Sequence, residues 1–168
     1  MNLVLIGYRG TGKSTVAKRL GKKLGMEVAN LDEEIVRQAG CTIPEIVAKH
    51  GWPQFRDIET EITKRFSERD NIIIDAGGGV ILRAENVQNL RRNGILFWLR
   101  ASVPVIVARI EGETNRPALT AGKSFTEEVE EVLRDRTPLY EAAAHHRIDT
   151  DLVSPDQVVA EIILRYQP

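Results

Sequence analysis

"GYRGTGKST" (residues 7–15) directly follows the apolar run "LVLIG" (3–7) and precedes "VAKRLGKKL" (16–24), whose apolar residues recur at helical spacing. Gly7, Gly12, Lys13 and Ser14 complete the pattern G-x-x-x-x-G-K-[ST], a phosphate-binding loop. Such a loop works only between a strand and a helix. Its N–H groups then point inward, and the helix adds its positive N-terminal end. Here the loop has that setting. Gly10, Thr11, Gly12, Lys13, Ser14 and Thr15 are therefore the candidate contacts to a nucleoside triphosphate, ATP. Lys13 is the candidate for the β- and γ-phosphates, and the Ser14 hydroxyl for Mg²⁺.

Outward from this loop, short apolar runs alternate with helical patterns. Residues 3–7, 27–31, 71–75, 94–99 and 147–150 read as strands. Helices are expected near 13–24, 33–39, 44–50, 53–69, 83–92, 103–110, 126–136 and 156–166. Continuous apolar strands separated by helices predict an α/β fold whose parallel sheet is covered on both faces. Thr42 to Glu45 and Ser154 to Gln157 have capping-box spacing, with Pro44 and Pro155 in the first turn. The segment 111–124, "EGETNRPALTAGKS", has no apolar period and reads as a long loop of the lid kind.

The whole chain has 168 residues, enough to bury a core, and reads as one domain over 1–168. Its 23 basic and 24 acidic residues leave no basic excess to suggest a nucleic-acid partner. No run approaches the length of a membrane span, and no targeting segment stands out. Cys41 is the single cysteine, and no metal-spaced Cys/His cluster occurs. The expected setting is the reducing cytoplasm, and the expected state a monomer.

No N-K-x-D guanine-reading motif occurs, and 168 residues with a lid-like loop suit a small kinase. A kinase needs an acceptor site where the strands end. Asp32 ends the second strand, placed either to bind or deprotonate a hydroxyl or to cap the next helix. Arg56 and Glu59 flank the apolar stripe Phe55, Ile58, Ile62 and Phe66, and on spacing alone read as a surface ion pair. Arg136 continues the inward face marked by Val129, Val132 and Leu133, where an arginine requires an anion to meet it. The competing reading is a helix end frayed by Pro138. Arg116, in the loop, suits charge on a transferring phosphate. The stretch "IIIDAGGGV" (72–80) puts Gly77, Gly78 and Gly79 in a row, which demands a close approach to bare backbone.

Together these residues resemble the shikimate kinase family. The resemblance rests on Gly7–Ser14, Asp32–Ile35, Gly51–Glu59 (G-x-x-x-F-R-x-x-E), Gly77–Gly79, Arg116–Leu119 (R-P-x-L) and Arg136–Tyr140 (R-x-P-L-Y). It implies a three-layer α/β/α sandwich with a five-stranded parallel sheet in the order 2-3-1-4-5. It also implies transfer of the γ-phosphoryl of MgATP to the 3-hydroxyl of shikimate, a step towards chorismate and the aromatic amino acids. By motif position, Asp32 would contact the reacting hydroxyl as candidate base, with an acceptor region over about 32–60. Arg56 and Arg136 would pair with the shikimate carboxylate, and Glu59 would orient Arg56. Arg116 would lie over the phosphates in a lid at about 111–124, and Arg109 near the adenine. The bare Gly77–Gly79 backbone would let the shikimate ring pack close, so a bulky residue at Gly78 is expected to disturb the acceptor and spare ATP.

One departure stands out. The family usually carries D-x-D at the end of the second strand, where this chain reads Asn30-Leu31-Asp32. Asp75, at the end of the third strand, is placed like a Walker-B carboxylate and is expected beside Ser14, making Ser14 and Asp75 the candidate metal residues. The other readings are a kinase of the same fold with another acceptor, such as gluconate or a nucleotide, and a kinase-like ATP-binding protein without catalysis.

Overall fold

The computed structural model describes residues 1–111 and 124–166. Five parallel strands form one sheet: β1 (Asn2–Ile6), β2 (Glu27–Asn30), β3 (Ile72–Asp75), β4 (Gly94–Arg100) and β5 (His146–Asp149). Their order is β2-β3-β1-β4-β5, as expected. The helices are α1 (Lys13–Leu24), α2 (Leu31–Ala39), α3 (Ile43–Ser67), α4 (Ala84–Arg92), α5 (Val103–Ile110), α6 (Phe125–Ala143) and α7 (Pro155–Arg165). No helix among the described residues is long and apolar enough to cross a membrane.

The alternation of side chains along each strand explains the continuous apolar runs. Val4, Ile6, Ile74, Leu96 and Trp98 face one layer, where Ile35, Phe55, Ile62, Leu90 and Tyr140 cover them. Leu3, Leu5, Ile73, Phe97 and Leu99 face the other, against Val16 and Leu20 of α1 and Val158, Val159 and Ile162 of α7. A smaller core, built from Tyr8, Ile106, Ile110, Val129 and Val132, joins α5 to α6.

Three expectations change. The two helices expected at 44–50 and 53–69 are one bent element, α3, turned at Gly51 (φ 79°, ψ 171°) with Pro53 just beyond. The helix expected to stop near residue 136 runs on to Ala143. Pro138 is tolerated because it and Arg134, whose carbonyl loses its N–H partner, both lie on the exposed face where water can serve. Inward contacts hold the far end: Tyr140 stacks on Trp98 with centroids 5.7 Å apart, and Arg91 donates to Ala143 O at 2.6 Å. Finally, α2 begins at Leu31, because Asn30 and not Asp32 is its N-cap, accepting from Glu33 N at 3.1 Å. The cap reading of Asp32 is thereby removed.

The arm of α3 beyond Gly51 carries Arg56 and Glu59, and its Phe55 and Ile62 share a core with Ile74 and Trp98 of the sheet. A Cβ at Gly51 would meet only Pro53 Cδ at 3.6 Å, so the obstacle to a side chain is the left-handed backbone rather than space. Gly51→Ala is expected to cost about 2 kcal/mol, since φ 79° with ψ 171° is open essentially to glycine alone, read as a lowered urea midpoint with unchanged slope.

Candidate functional site

The phosphate-binding loop sits between β1 and α1 as its sequence requires. Gly12 caps α1 in the left-handed region (φ 94°), and α1 has neither a side-chain cap nor an acidic residue in its first turn. Its leading N–H groups and positive dipole end therefore remain available to an anion. Lys13 is buried, its ammonium donating to Gly7 O (2.7 Å) and Tyr8 O (3.1 Å) across the loop. The Thr11 hydroxyl turns inward to Tyr8 O (2.8 Å), so its side chain shapes the loop instead of facing the cleft.

A cavity of about 310 Å³ opens over this loop, lined by Arg9, Gly10, Gly12, Lys13, Ser14 and Thr15 on one side. Asn30, Asp32, Asp75, Ala76, Gly77 and Gly78 close the other. Cations thus face carboxylates across the cleft. Strand register brings the acidic side together: Asn30 pairs with Asp75 between β2 and β3, and Leu5 pairs with Asp75 between β1 and β3. The Ser14 hydroxyl donates to Asp75 Oδ2 at 2.6 Å, and Asn30 Nδ2 donates to the same oxygen at 3.0 Å. Asp75 therefore lies beside Ser14, where its place in the sequence put it. Burial raises the Asp75 pKa above the ordinary carboxylate value, Asp32 and Glu33 add to the rise, and Lys13 and Ser14 oppose it. Asp32 is half-buried in the first turn of α2, on the same cavity wall.

The residues expected on the acceptor side meet at the triple glycine. Arg56 and Glu59 are buried, 9% and 1% exposed, and bonded at 2.9 Å. This corrects the surface-pair reading: the pair is buried, and the Arg56 guanidinium lies over the rings of Trp52 and Phe55 on the same helix, at 5.3 and 5.1 Å. A Cβ at Gly79 would lie 2.2 Å from Arg56 Nη1, so what approaches this glycine is the protein's own guanidinium. At Gly78 a Cβ would meet Arg136 Nη1 at 3.6 Å, but also Arg9 N at 3.5 Å and Gly7 O at 3.6 Å. A bulky residue at Gly78 would therefore press on the phosphate loop as well, and the selective effect expected there does not follow. Arg136 is 7% exposed and lies well inside α6, not at a frayed end. Among the described residues it forms no hydrogen bond or ion pair. Arg109 is exposed and donates to Gly10 O at 3.0 Å, bracing the loop from the α5 side. Arg116 lies outside the described residues.

Arg9 escaped the sequence reading, and for Tyr140 and Asn30 the contacts they make did. Arg9 lines the cavity and lies 5.8 Å over the Phe125 ring. Tyr140 donates to Gly78 O, clamping the glycine turn. It sits one turn beyond Arg136 on the same face, so spacing alone could have found it. Asn30, noted as a missing charge, is a two-ended hydrogen-bonding link.

A parallel sheet in this order, with a lysine-clipped glycine loop opposite buried Asp75 and half-buried Asp32, defines a P-loop phosphoryl-transfer site. Residues 9–167 match the family model of shikimate kinase. A shikimate kinase of Thermodesulfovibrio yellowstonii is 43% identical over 166 residues, covering 99% of this chain and 95% of that protein. The structure of shikimate kinase from Acinetobacter baumannii in complex with shikimate superposes with a TM-score of 0.93 at 33% identity, covering 98% of this chain and 91% of that one. A deoxyadenosine kinase from M. mycoides shares the fold alone, at a TM-score of 0.63 and 16% identity over 98% of each chain. The chain belongs to the shikimate kinase family.

Burial of Asp75 has a measurable sign. Its folded pKa is raised, so its ionised form opposes folding, and stability is lost as pH rises from about 3.9 through the folded value. In ligand-free protein, Asp75→Asn is expected to melt higher than wild type at pH 7, the advantage shrinking as pH falls towards about 4. Thermal melts across that range read it directly.

Proposed function

We propose that this protein transfers the γ-phosphoryl group of ATP to the 3-hydroxyl of shikimate, giving ADP and shikimate 3-phosphate on the route to chorismate and the aromatic amino acids. The observation that carries the reading is the pair of buried guanidiniums, Arg56 and Arg136, set against consecutive glycines beside the phosphate loop. Arg56 has Glu59 as its partner, whereas Arg136 has no acidic partner among the described residues. A buried arginine of that kind calls for an anion from outside. A small acid that also bears a hydroxyl, such as shikimate, supplies one.

In this reading Gly10 to Thr15 hold the triphosphate, and Lys13 releases the Gly7 and Tyr8 carbonyls to bind its terminal phosphates. Ser14 and Asp75 offer hard oxygen donors, which suit Mg²⁺. No group of three or more His, Cys, Asp or Glu side chains that could hold a metal occurs among the described residues, so the fit is to an ion held chiefly by phosphates and water. When bound, Mg²⁺ neutralises charge on the phosphates. Arg56, Glu59 and Arg136 orient the acceptor carboxylate, and the Gly77–Gly79 turn sets the floor on which it rests. Asp32, on the same wall as Asp75, takes the hydroxyl proton as the oxygen–phosphorus bond forms and the bond to ADP breaks. Arg116 is assigned to the transferring phosphate, and Arg109 to the nucleotide side of the loop. The domain then divides into an acceptor region over about 32–60 joined by Arg136, and a lid over about 111–124.

Purified protein with MgATP is expected to release ADP with shikimate and not with gluconate, AMP or water alone. Equal release with every acceptor would sink the assignment. Gly79→Ala is expected to dislodge Arg56 and raise the shikimate KM about tenfold or more, with the ATP KM within about twofold. Arg136→Lys should behave similarly, since an ammonium cannot replace a planar fork. A KM shift confined to ATP in either variant would count against the acceptor role.

A further inference from the structure

Asn30 uses the two ends of one amide for different work. Its Oδ1 accepts from Glu33 N at 3.1 Å and caps α2, the helix whose first turn carries Asp32. Its Nδ2 donates to Asp75 Oδ2 at 3.0 Å and reaches Ser14 Oγ at 3.5 Å. Both ends are held by the backbone, because Asn30 and Asp75 are register partners on β2 and β3. Asn30 therefore joins the carboxylate beside the loop serine to the helix bearing the base.

We propose that Asn30 is a positioning residue, and that positions 30 and 75 act as one amide–carboxylate pair whose single negative charge serves the metal from either end. The proposal rests on the MgATP reading above. Its chemistry lies in complementarity. An aspartate at position 30 would still cap α2, since Asp and Asn cap about equally well. It could not donate to Asp75, however, and two carboxylates at the present spacing would repel. With both residues exchanged, the bond simply reverses direction: the new amide at 75 donates to the new carboxylate at 30. The cap survives, and one negative charge stays next to Ser14.

The test compares wild type with Asp75→Asn, Asn30→Asp and the double exchange. Calorimetry measures ADP affinity with and without Mg²⁺, and the ratio of the two reports the metal's share. No acceptor is present, so the result is independent of whether shikimate is the substrate. Asp75→Asn is expected to reduce the Mg²⁺-dependent gain about tenfold, as loss of a group supporting a metal ligand does. Asn30→Asp should lower the melting temperature without metal and recover when Mg²⁺ is added with ADP. The double exchange should restore the gain to within about threefold of wild type, far from the sum of the single effects. A double variant no better than Asp75→Asn would overturn the proposal, because position would then matter and not the pair. Equal Mg²⁺-dependent gains in all four proteins would overturn it too, reducing the pair to a structural anchor for the glycine turn.

Discussion

Parallel strands deliver all their C-terminal ends to one edge of the sheet, and the chemistry of this protein depends on how firmly that edge is registered. Leu5, Asp75 and Asn30 are partners across β1, β3 and β2. Within β3 the neighbours Ile73 and Ile74 belong to opposite cores. A slip of one residue could set the Asp75 carboxylate opposite Val4 and Ala29, where Ile74 now packs in an apolar core, so the cost of burying that charge specifies the register. Asp75 inherits that precision, and its 2.6 Å bond from Ser14 is the result.

Around this edge the protein buries charge where packing alone would not. Arg56, Glu59, Asp75 and Arg136 are all less than 10% exposed. Each burial carries a desolvation penalty that is relieved only in part within the chain. Glu59 and two aromatic rings hold Arg56. Asp75 is held by two donors and still has a raised pKa. Breaks of local rules of this kind concentrate at functional sites, and the proposed ligands would bring the missing charge.

The glycine turn shows how the two substrate sides meet. Tyr140 and Arg136 reach it from α6, Arg56 from α3, and the backbone of Gly7 and Arg9 from the phosphate loop. Three separate elements thus converge on Gly78 and Gly79, and at Gly79 the lack of a side chain is what admits the Arg56 guanidinium. Helix α6 also joins the small core shared with α5, whose Arg109 braces Gly10. Nucleotide and acceptor sides are therefore built on common supports.

Much of this was legible in the chain. The loop pattern, the apolar runs and their alternation with helices determined the fold class and the nucleotide side, because those signals are local and periodic. The motif order also determined the family and pointed to Asp32, Arg56 and Arg136, while the end of the third apolar run pointed to Asp75. Tertiary structure decided the rest. Whether Arg56–Glu59 faced water or the interior depended on which side of α3 the rest of the fold covers, and no helical period contains that information. Whether Pro138 ended α6 depended on which face it occupied and on contacts from Trp98 and Arg91. The role of Asn30 depended on a partner 45 residues away. Sequence pattern records what a residue does with its near neighbours, and these outcomes were set by pairs that only the folded sheet brings together.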